Sequence, residues 1–382
     1  MKHPSFVCVA FPAPMSKDTS KEWNMRRLAS FALAGILAVG ALTACAEEPG
    51  GAGDDGEGGG TGAGKVAFLM PDLASTRYEQ YDAPLFKKRM GELCDECKVI
   101  YQNADSDAAL QQQQANSALA QGAKVIVLDP VDSESAATIV QTAQSQGVKV
   151  IAYDRPIPTK PADFYVSFDN EAIGESIGQS LVDHLDKERA KGGILQVNGS
   201  PTDAAAGLIK KGIHNAVDDS GYELLAEYDT PDWSPEKAQQ WVSGQISQYS
   251  DRIAGVVAAN DGTGGGSIAA FKAAEADVPP VTGNDAELAA VQRIIAGDQF
   301  NTISKPIKTV AEAAAEVAYD LMQGEKPKAD TTLFDTPSQL FQPTVVTREN
   351  LKEVIFGPDG VLKAEDVCTR VYADDCKSLG IS

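Results

Sequence analysis

From residue 65 onward, short apolar runs alternate with helix-length stretches, and this alternation constrains the fold more than any other feature of the chain. The runs 66–70, 99–101, 125–128 and 148–153 are brief and apolar, and the last three are rich in β-branched residues. A strand buried on both faces reads as such a run, bounded by turn signals. Between them lie 78–93, 107–120 and 133–146, of helical length, with Gly122 and Gly147 placed as C-terminal stops. Strand–helix–strand units of this size imply a parallel sheet with right-handed crossovers. The pattern then repeats: 171–189, 204–217, 235–248, 266–276 and 286–296 read as helices, and 194–197, 223–228, 253–259 and 280–282 as strands. The expected fold is α/β, with two doubly wound parallel-sheet lobes facing each other. At 382 residues the chain suits two domains better than one.

The joint between the halves is expected in 148–170, VKVIAYDRPIPTKPADFYVSFDN. An apolar run stops at Asp154-Arg155, a proline-punctuated loop follows, and a second run ends in Asp169-Asn170. Polar side chains at the C-terminal end of a parallel strand lie at the mouth of the sheet, where open α/β sheets bind ligands. The same juxtaposition recurs along the chain. Asp72 and Arg77 follow the first run, and Asp129 the third. Asn198-Gly199-Ser200-Pro201-Thr202-Asp203, Asn260-Asp261-Gly262 and Gly283-Asn284-Asp285 follow strands of the second half. Taken singly, each Asp or Asn is a turn residue or helix cap, and Asp129-Pro130 reads as a helix entry. Taken together they are a binding set. A carboxylate can accept from two vicinal hydroxyls, and a guanidinium offers a rigid fork of donors. Aromatic faces pack on the C–H face of a sugar ring, and Tyr78, Phe168 and Trp233 stand close to these polar groups in sequence. The plainer reading of Trp233 is a hydrophobic staple onto the helix that follows it. The glycine cluster at 262–266 is no phosphate loop, since it lacks the Lys-Ser/Thr of that motif. It reads instead as the start of a helix packed closely on the sheet.

Before residue 65 the chain has another character. Arg26-Arg27 forms a positive n-region, 28–39 is apolar and uncharged, and Leu42-Thr43-Ala44-Cys45 resembles a lipobox. These features read 1–44 as an N-terminal extension plus lipoprotein signal peptide, with Cys45 lipidated at its thiol. The bulk of the chain would then be extracytoplasmic, anchored to the outer face of the cell membrane. An uncleaved transmembrane anchor is the plainer reading, but the apolar run is short for the roughly 20 residues a span requires. Met25 just ahead of Arg26 leaves two starts open, Met1 and Met25. Residues 45–64 read as a glycine-rich, acidic tether with nothing to build a core. The net charge of −21 argues against nucleic acid or an anionic membrane surface as a partner.

In an exported chain, Cys94 with Cys97 and Cys368 with Cys376 read as two local disulfides. Cys94-Asp95-Glu96-Cys97 is also open to reading as a redox motif or half a zinc site, and pairing across the chain is open too. The redox motif normally opens a helix, whereas this one follows a helical stretch. Three histidines leave little to complete a zinc site.

Several motifs, collinear from residue 65 to about 350, carry a resemblance to a known family. They are Tyr153-Asp154-Arg155, the run from Asp163 to Asn170, Gly199-Ser200-Pro201-Thr202-Asp203, Asn260-Asp261, Gly283-Asn284-Asp285, Lys305-Pro306 and the run from Lys326 to Thr332. On these the chain resembles the pentose- and hexose-binding proteins of ABC importers, which have the periplasmic-binding-protein type I fold, and most of all the D-xylose-binding type. The resemblance implies that Arg77, Arg155, Asp203, Asn260, Asp285 and Lys305 hydrogen-bond a sugar. Tyr78 and Trp233 would supply aromatic walls, Phe168 would add to them, and Asp154 would orient Arg155. It implies lobes at 65–167 plus 306–332 and at 168–305 plus 333–382, joined by a multi-crossing hinge that closes around ligand. A monomer that hands its monosaccharide to a membrane permease driven by an ATPase is the expected function, with no catalytic residue, cofactor or metal. One departure stands out: Ala204 and Ala205 follow Asp203 where the xylose-type pattern has asparagines. The tail from 357 to 382 lies beyond the resemblance.

Three rival functions follow from other classes. A sugar-responsive repressor of this fold would need a helix-turn-helix before residue 65, where a lipobox and tether stand. A co-receptor presenting sugar to a membrane sensor kinase would have the same pocket. A glycosidase would use two of the carboxylates, against the fold-level analogy to binding proteins.

Overall fold

The computed structural model describes residues 63–357, 360 and 362–381. The signal segment 1–44, Cys45 and the tether up to residue 62 lie outside the described residues. Among the described residues no helix is long and apolar enough to cross a membrane.

The first α/β half contains β1 (Lys65–Met70), α1 (Ala83–Leu93), β2 (Lys98–Asn103), α2 (Ala108–Ala120), β3 (Ala123–Leu128), α3 (Ala137–Ser145), β4 (Lys149–Tyr153) and β5 (Phe164–Phe168). The second contains α4 (Asn170–Glu188), β6 (Gly193–Asn198), α5 (Ala204–Val217), β7 (Glu223–Asp229), α6 (Pro235–Tyr249), β8 (Ile253–Ala258), α7 (Asp261–Ala273), α8 (Leu288–Ala296) and β9 (Asn301–Ser304). Then come α9 (Ile307–Met322), β10 (Thr331–Leu333), β11 (Thr336–Phe341) and β12 (Thr344–Thr347), and the short helices α10 (Leu351–Ile355), α11 (Ala364–Val367) and α12 (Ala373–Ser378).

The first sheet has the order β10-β11-β5-β4-β3-β1-β2 and is parallel except between β10 and β11. The second has β7-β6-β8, all parallel. A bridge from Val256 to Val281 and a bond from Phe300 N–H to the Val281 carbonyl carry it on to β9, which pairs antiparallel with β12. Both halves therefore reverse direction of winding at the same place, between β1 and β3 and between β6 and β8. Ligands bind outside the carboxyl ends of the strands at such a reversal.

The chain passes between the sheets after Phe168, after Ser304 and after Phe341. The first two passages fall where the sequence places them. The third falls at the far end of the expected window, 333–343, so the lobe boundary expected at 333 moves later: β11 pairs parallel with β5, Ser338 beside Tyr165 and Phe341 beside Phe168. The pairing covers the edge of β5, whose five residues are all buried and which would otherwise present unpaired backbone groups. The segment 307–322 packs, as expected, against α1 and the first sheet.

Local chemistry shifts several helix boundaries. The helix expected over 78–93 opens as a π-turn, Tyr78–Asp82, in which Ala83 N–H reaches the Tyr78 carbonyl. The helix expected at 266 begins at Asp261, because Asn260 and Thr263 form a reciprocal capping box ahead of it. The one expected at 286 begins at Leu288, because Asp285 and Ala286 have left-handed backbone, φ +103° and +50°. Strand 280–282 is reduced to a single bridge beside Pro279-Pro280, which have no N–H to offer a ladder.

Helices α4 and α5 cross in backbone contact. A Cβ on Gly212 would lie 2.1 Å from the Glu171 carbonyl oxygen, and one on Gly174 would lie 2.0 Å from that of Ile209. Gly→Ala in an open helix gains about 1 kcal/mol in propensity. Gly212→Ala is instead expected to lower stability by about 1–3 kcal/mol, the cost of overpacking. Gly207→Ala, in the same helix with nothing within 4 Å of its Cβ, is expected to raise it by up to about 1 kcal/mol. Urea unfolding of the two variants checks both signs.

Cys94–Cys97 and Cys368–Cys376 form disulfides, and the first closes the C-terminal end of α1, whereas a redox motif opens a helix. The second pair braces the tail, where Leu351, Ile355, Val367 and Cys376 share an apolar cluster with Val291 and Ile294 of α8.

Candidate functional site

Each polar residue that the sequence places after a strand does lie at the carboxyl end of its sheet, and the two sheets bring these ends together. Arg77 is the first centre. Its Nε and Nη2 donate to Asp82 at 3.1 and 2.7 Å, and its Nη1 donates to Asp154 Oδ1 at 3.2 Å. The π-turn explains the fork, since it brings residues five apart into register, as Arg77 and Asp82 are. Tyr153 O–H donates to the same Asp82 carboxylate. Asp285 of the second half lies 3.9 Å from Arg77 Nη1. Burial opposes the charge of Arg77, but Asp154 and Asp82 overcome it and hold the guanidinium ionised.

Arg155 is the second centre. Its Nη2 donates to Asp72 Oδ2 at 2.6 Å and to Tyr78 Oη at 3.4 Å, and its Nη1 to the Pro130 carbonyl at 3.2 Å. Its Nε lies 3.2 Å from Asp203 Oδ2 and 3.4 Å from Asp129 Oδ1. Asp129 is expected from the sequence to be a helix entry. It is instead fully buried beside Arg155, and its carboxylate oxygens accept no hydrogen bond. The ion pair is thus a proximity without an aligned N–H. Burial pushes its carboxyl well up, against the pull of Arg155.

Asp154 does not orient Arg155, as expected, but Arg77 and Tyr78, whose O–H donates to Asp154 Oδ2 at 3.1 Å. The reason is its left-handed backbone, φ +57°, which sends successive side chains to different partners. Three bonds hold that turn: Asp154 N–H donates to the Val166 carbonyl, and the Asp154 carbonyl accepts from Tyr165 Oη at 2.8 Å and Ser167 Oγ at 2.7 Å. The orienting partner of Arg155 is Asp72. Burial alone would raise the Asp154 carboxyl, but Arg77, Lys305 and Arg155 hold it well below the usual range.

From the second half, Asp203 caps α5 with one oxygen, accepting from Ala205 N–H at 2.8 Å, and with the other accepts from Trp233 Nε1 at 3.0 Å. Capping and site roles coexist in one residue. Asn260 does the same, capping α7 while lining the cleft. Lys305 Nζ pairs with Asp285 Oδ1 at 2.6 Å. Tyr78 and Trp233 line the cleft, as expected of aromatic walls. Phe168 does not: it is 1% exposed, packs against Phe341 with centroids 6.2 Å apart, and lies beneath Lys305, 5.7 Å from Nζ. Its alternating position on β5 points it into the core. Asn170 and Asn284, expected only as members of the polar runs that follow strands, also line the cleft, and so do Ser75 and Ile209, which no sequence signal marks. The side-chain oxygen of Asn284 is buried without a hydrogen-bond partner.

The loop carrying Asp285 rests on a buried carboxylate. Asp261 accepts from Thr302 Oγ1, Gln299 Nε2 and Glu287 N–H at 2.8–3.0 Å. Burial, with Glu287 nearby, pushes its carboxyl up to about 8. Glu287 joins the halves, accepting from Thr76 N–H and Oγ1 at 3.3 Å, and burial with Asp285 pushes it up to about 7. Unfolded carboxyls titrate near 4. Between those values the folded state keeps protons the unfolded chain has released. The stability from these groups is therefore complete below about pH 4 and lost as pH rises through about 7 to 8. Asp203 and His214 are raised too and share this sign, while the lowered Asp154 acts below pH 4. The melting temperature is expected to fall from pH 5 to pH 8.5, and Asp261→Asn to flatten the slope. A rise across that window would contradict the assignment.

Residues 66–326 match the family model described as "Periplasmic binding protein domain". The chain is 34% identical over 312 residues to the D-xylose-binding periplasmic protein of Escherichia coli (strain K12), covering 79% of this chain and 92% of that one. It is 29% identical over 330 residues to a multiple sugar-binding periplasmic receptor of Rhizobium radiobacter, covering 80% and 92%. Among solved structures, an ABC transporter solute binding protein from Clostridium phytofermentans with bound β-D-glucose superposes with a TM-score of 0.72. It is 28% identical and is matched over 79% of this chain and 99% of its own. The twice-repeated winding order, the polar cleft at both reversals and these matches agree: the chain belongs to the periplasmic binding protein family, with the type I fold.

Proposed function

We propose that the protein is an extracytoplasmic receptor that captures a monosaccharide between its two halves and delivers it to an ABC-type permease. It acts by binding, without catalysis. One observation carries this reading. Arg77, Arg155 and Lys305 converge with Asp154, Asp203 and Asp285 in one cleft, between the aromatic side chains of Tyr78 and Trp233. Fixed donors and acceptors suit hydroxyls, and the rings suit the C–H face. The relatives named for D-xylose, for multiple sugars and with bound β-D-glucose support a pentose or hexose. D-Xylose is the first choice. Ala205 and Ile209 give one wall an apolar facet, which accepts carbon in place of a hydroxyl and makes the Ala204–Ala205 pair a point of specificity. The cleft as it stands has a volume of about 30 Å³, so the two halves part, as hinged lobes, to admit a ring. Lipidation at Cys45 would hold a monomer at the membrane surface.

Isothermal titration of the purified chain with xylose, glucose, galactose, arabinose and ribose tests the reading. One-to-one binding of at least one of them is expected. Binding of none, by a folded and ligand-free sample, would sink it.

A further inference from the structure

Beside the polar cleft lies a second chamber of about 340 Å³, and Arg77, Asp285 and Lys305 line both. The cleft itself is far smaller than ordinary small-molecule pockets, whereas the chamber falls within their range of about 300–1,000 Å³. Tyr81 and Ile307 form part of its wall, and Val354, Ile355 and Leu362 of the tail form another part. These tail residues follow the segment that matches the family model. The tail is held in place by the Cys368–Cys376 disulfide and by Gln292 of α8, which donates to the Val367 carbonyl at 3.1 Å. Polar residues share the lining: Thr76, Glu287, Thr344 and Glu353.

We propose that this chamber receives a second sugar ring, so that the protein takes a disaccharide whose first ring occupies the polar cleft. The inference rests on the reading of that cleft as a sugar site. Its own support is the three residues that the two spaces share and the mixed lining of the second. A half-buried tyrosine and aliphatic side chains suit the C–H faces of a pyranose. Lining carboxylates suit its hydroxyls, whereas a bare hydrocarbon would desolvate Glu353 without giving it a partner. The partition is the Lys305–Asp285 ion pair, and a linkage crossing it would exchange that pair's contacts for hydroxyls.

The test compares monosaccharides with their β-1,4-linked dimers on the full chain: xylose with xylobiose, and glucose with cellobiose. For at least one sugar the dimer is expected to bind at least tenfold tighter. Thr344→Trp, at an exposed position on the chamber wall, is expected to weaken the dimer at least tenfold while leaving the monosaccharide within twofold. Glu353→Ala provides a second variant with the same expected ranking. Dimers that bind no tighter than monosaccharides, or variants that weaken both alike, would overturn the proposal and leave the monosaccharide reading intact. Failure of every sugar, single or paired, would overturn the receptor reading itself.

Discussion

Asp82→Ala is expected to lower the free energy of unfolding by about 3–5 kcal/mol, the cost of removing one partner from a buried ion pair. Asp82 is fully buried and accepts both arms of Arg77 and the hydroxyl of Tyr153. Without it the guanidinium keeps Asp154 but loses its closest partner, and Tyr153 Oη is left without its acceptor. Tyr153→Phe alone removes one bond while Asp82 keeps Arg77, and should cost about 1 kcal/mol. In the Asp82→Ala background the same change should cost almost nothing, because the bond is already gone. Urea unfolding of the four proteins closes the cycle. Strictly additive costs would show that Tyr153 and Asp82 are not coupled.

Gly199→Ala is expected to weaken sugar binding at least a hundredfold, about 2.7 kcal/mol. A Cβ on Gly199 would lie 2.1–2.5 Å from three carbons of the Trp233 indole, so the ring must move. Trp233 and its neighbour Asp232 both have left-handed backbone, φ +55° and +58°, which seats the ring over Gly199 and aims Nε1 at Asp203. Displacing it removes an aromatic wall and that bond together, and frees Asp203 Oδ2 from half of its contacts. Titration calorimetry reads the affinity, and the shift in tryptophan emission reads the ring. Wild-type affinity in this variant would remove Trp233 from the site.

Much of the site was legible because chain order and sheet position are linked in parallel α/β folds. A polar residue just after a buried strand has one place to go, the carboxyl edge of the sheet. Arg77, Asp154, Arg155, Asp203, Asn260 and Asp285 could all be located that way, whereas Lys305 came only from the family resemblance. The partnerships among them could not, because they join side chains from strands far apart in sequence. Asp82 looks like any helical acid until a π-turn aligns it with Arg77. Asp129 looks like a helix entry until strand order sets it beside Arg155. Sequence adjacency pairs Asp154 with Arg155, and one left-handed residue sends it to Arg77 instead. Phe168 stood near the polar groups in sequence, yet the two-residue period of β5 turned it inward.

The sequence by itself determined the alternation of strand and helix, the two windings and the polar carboxyl edges of the sheets. It did so because hydrophobic periodicity and turn chemistry are local. Only the tertiary structure decided which carboxylate holds which guanidinium, that β11 completes the first sheet, and that the tail walls a chamber next to the cleft. Those outcomes depend on which strands lie side by side and how closely buried charges approach, and neither is written in any single stretch of the chain.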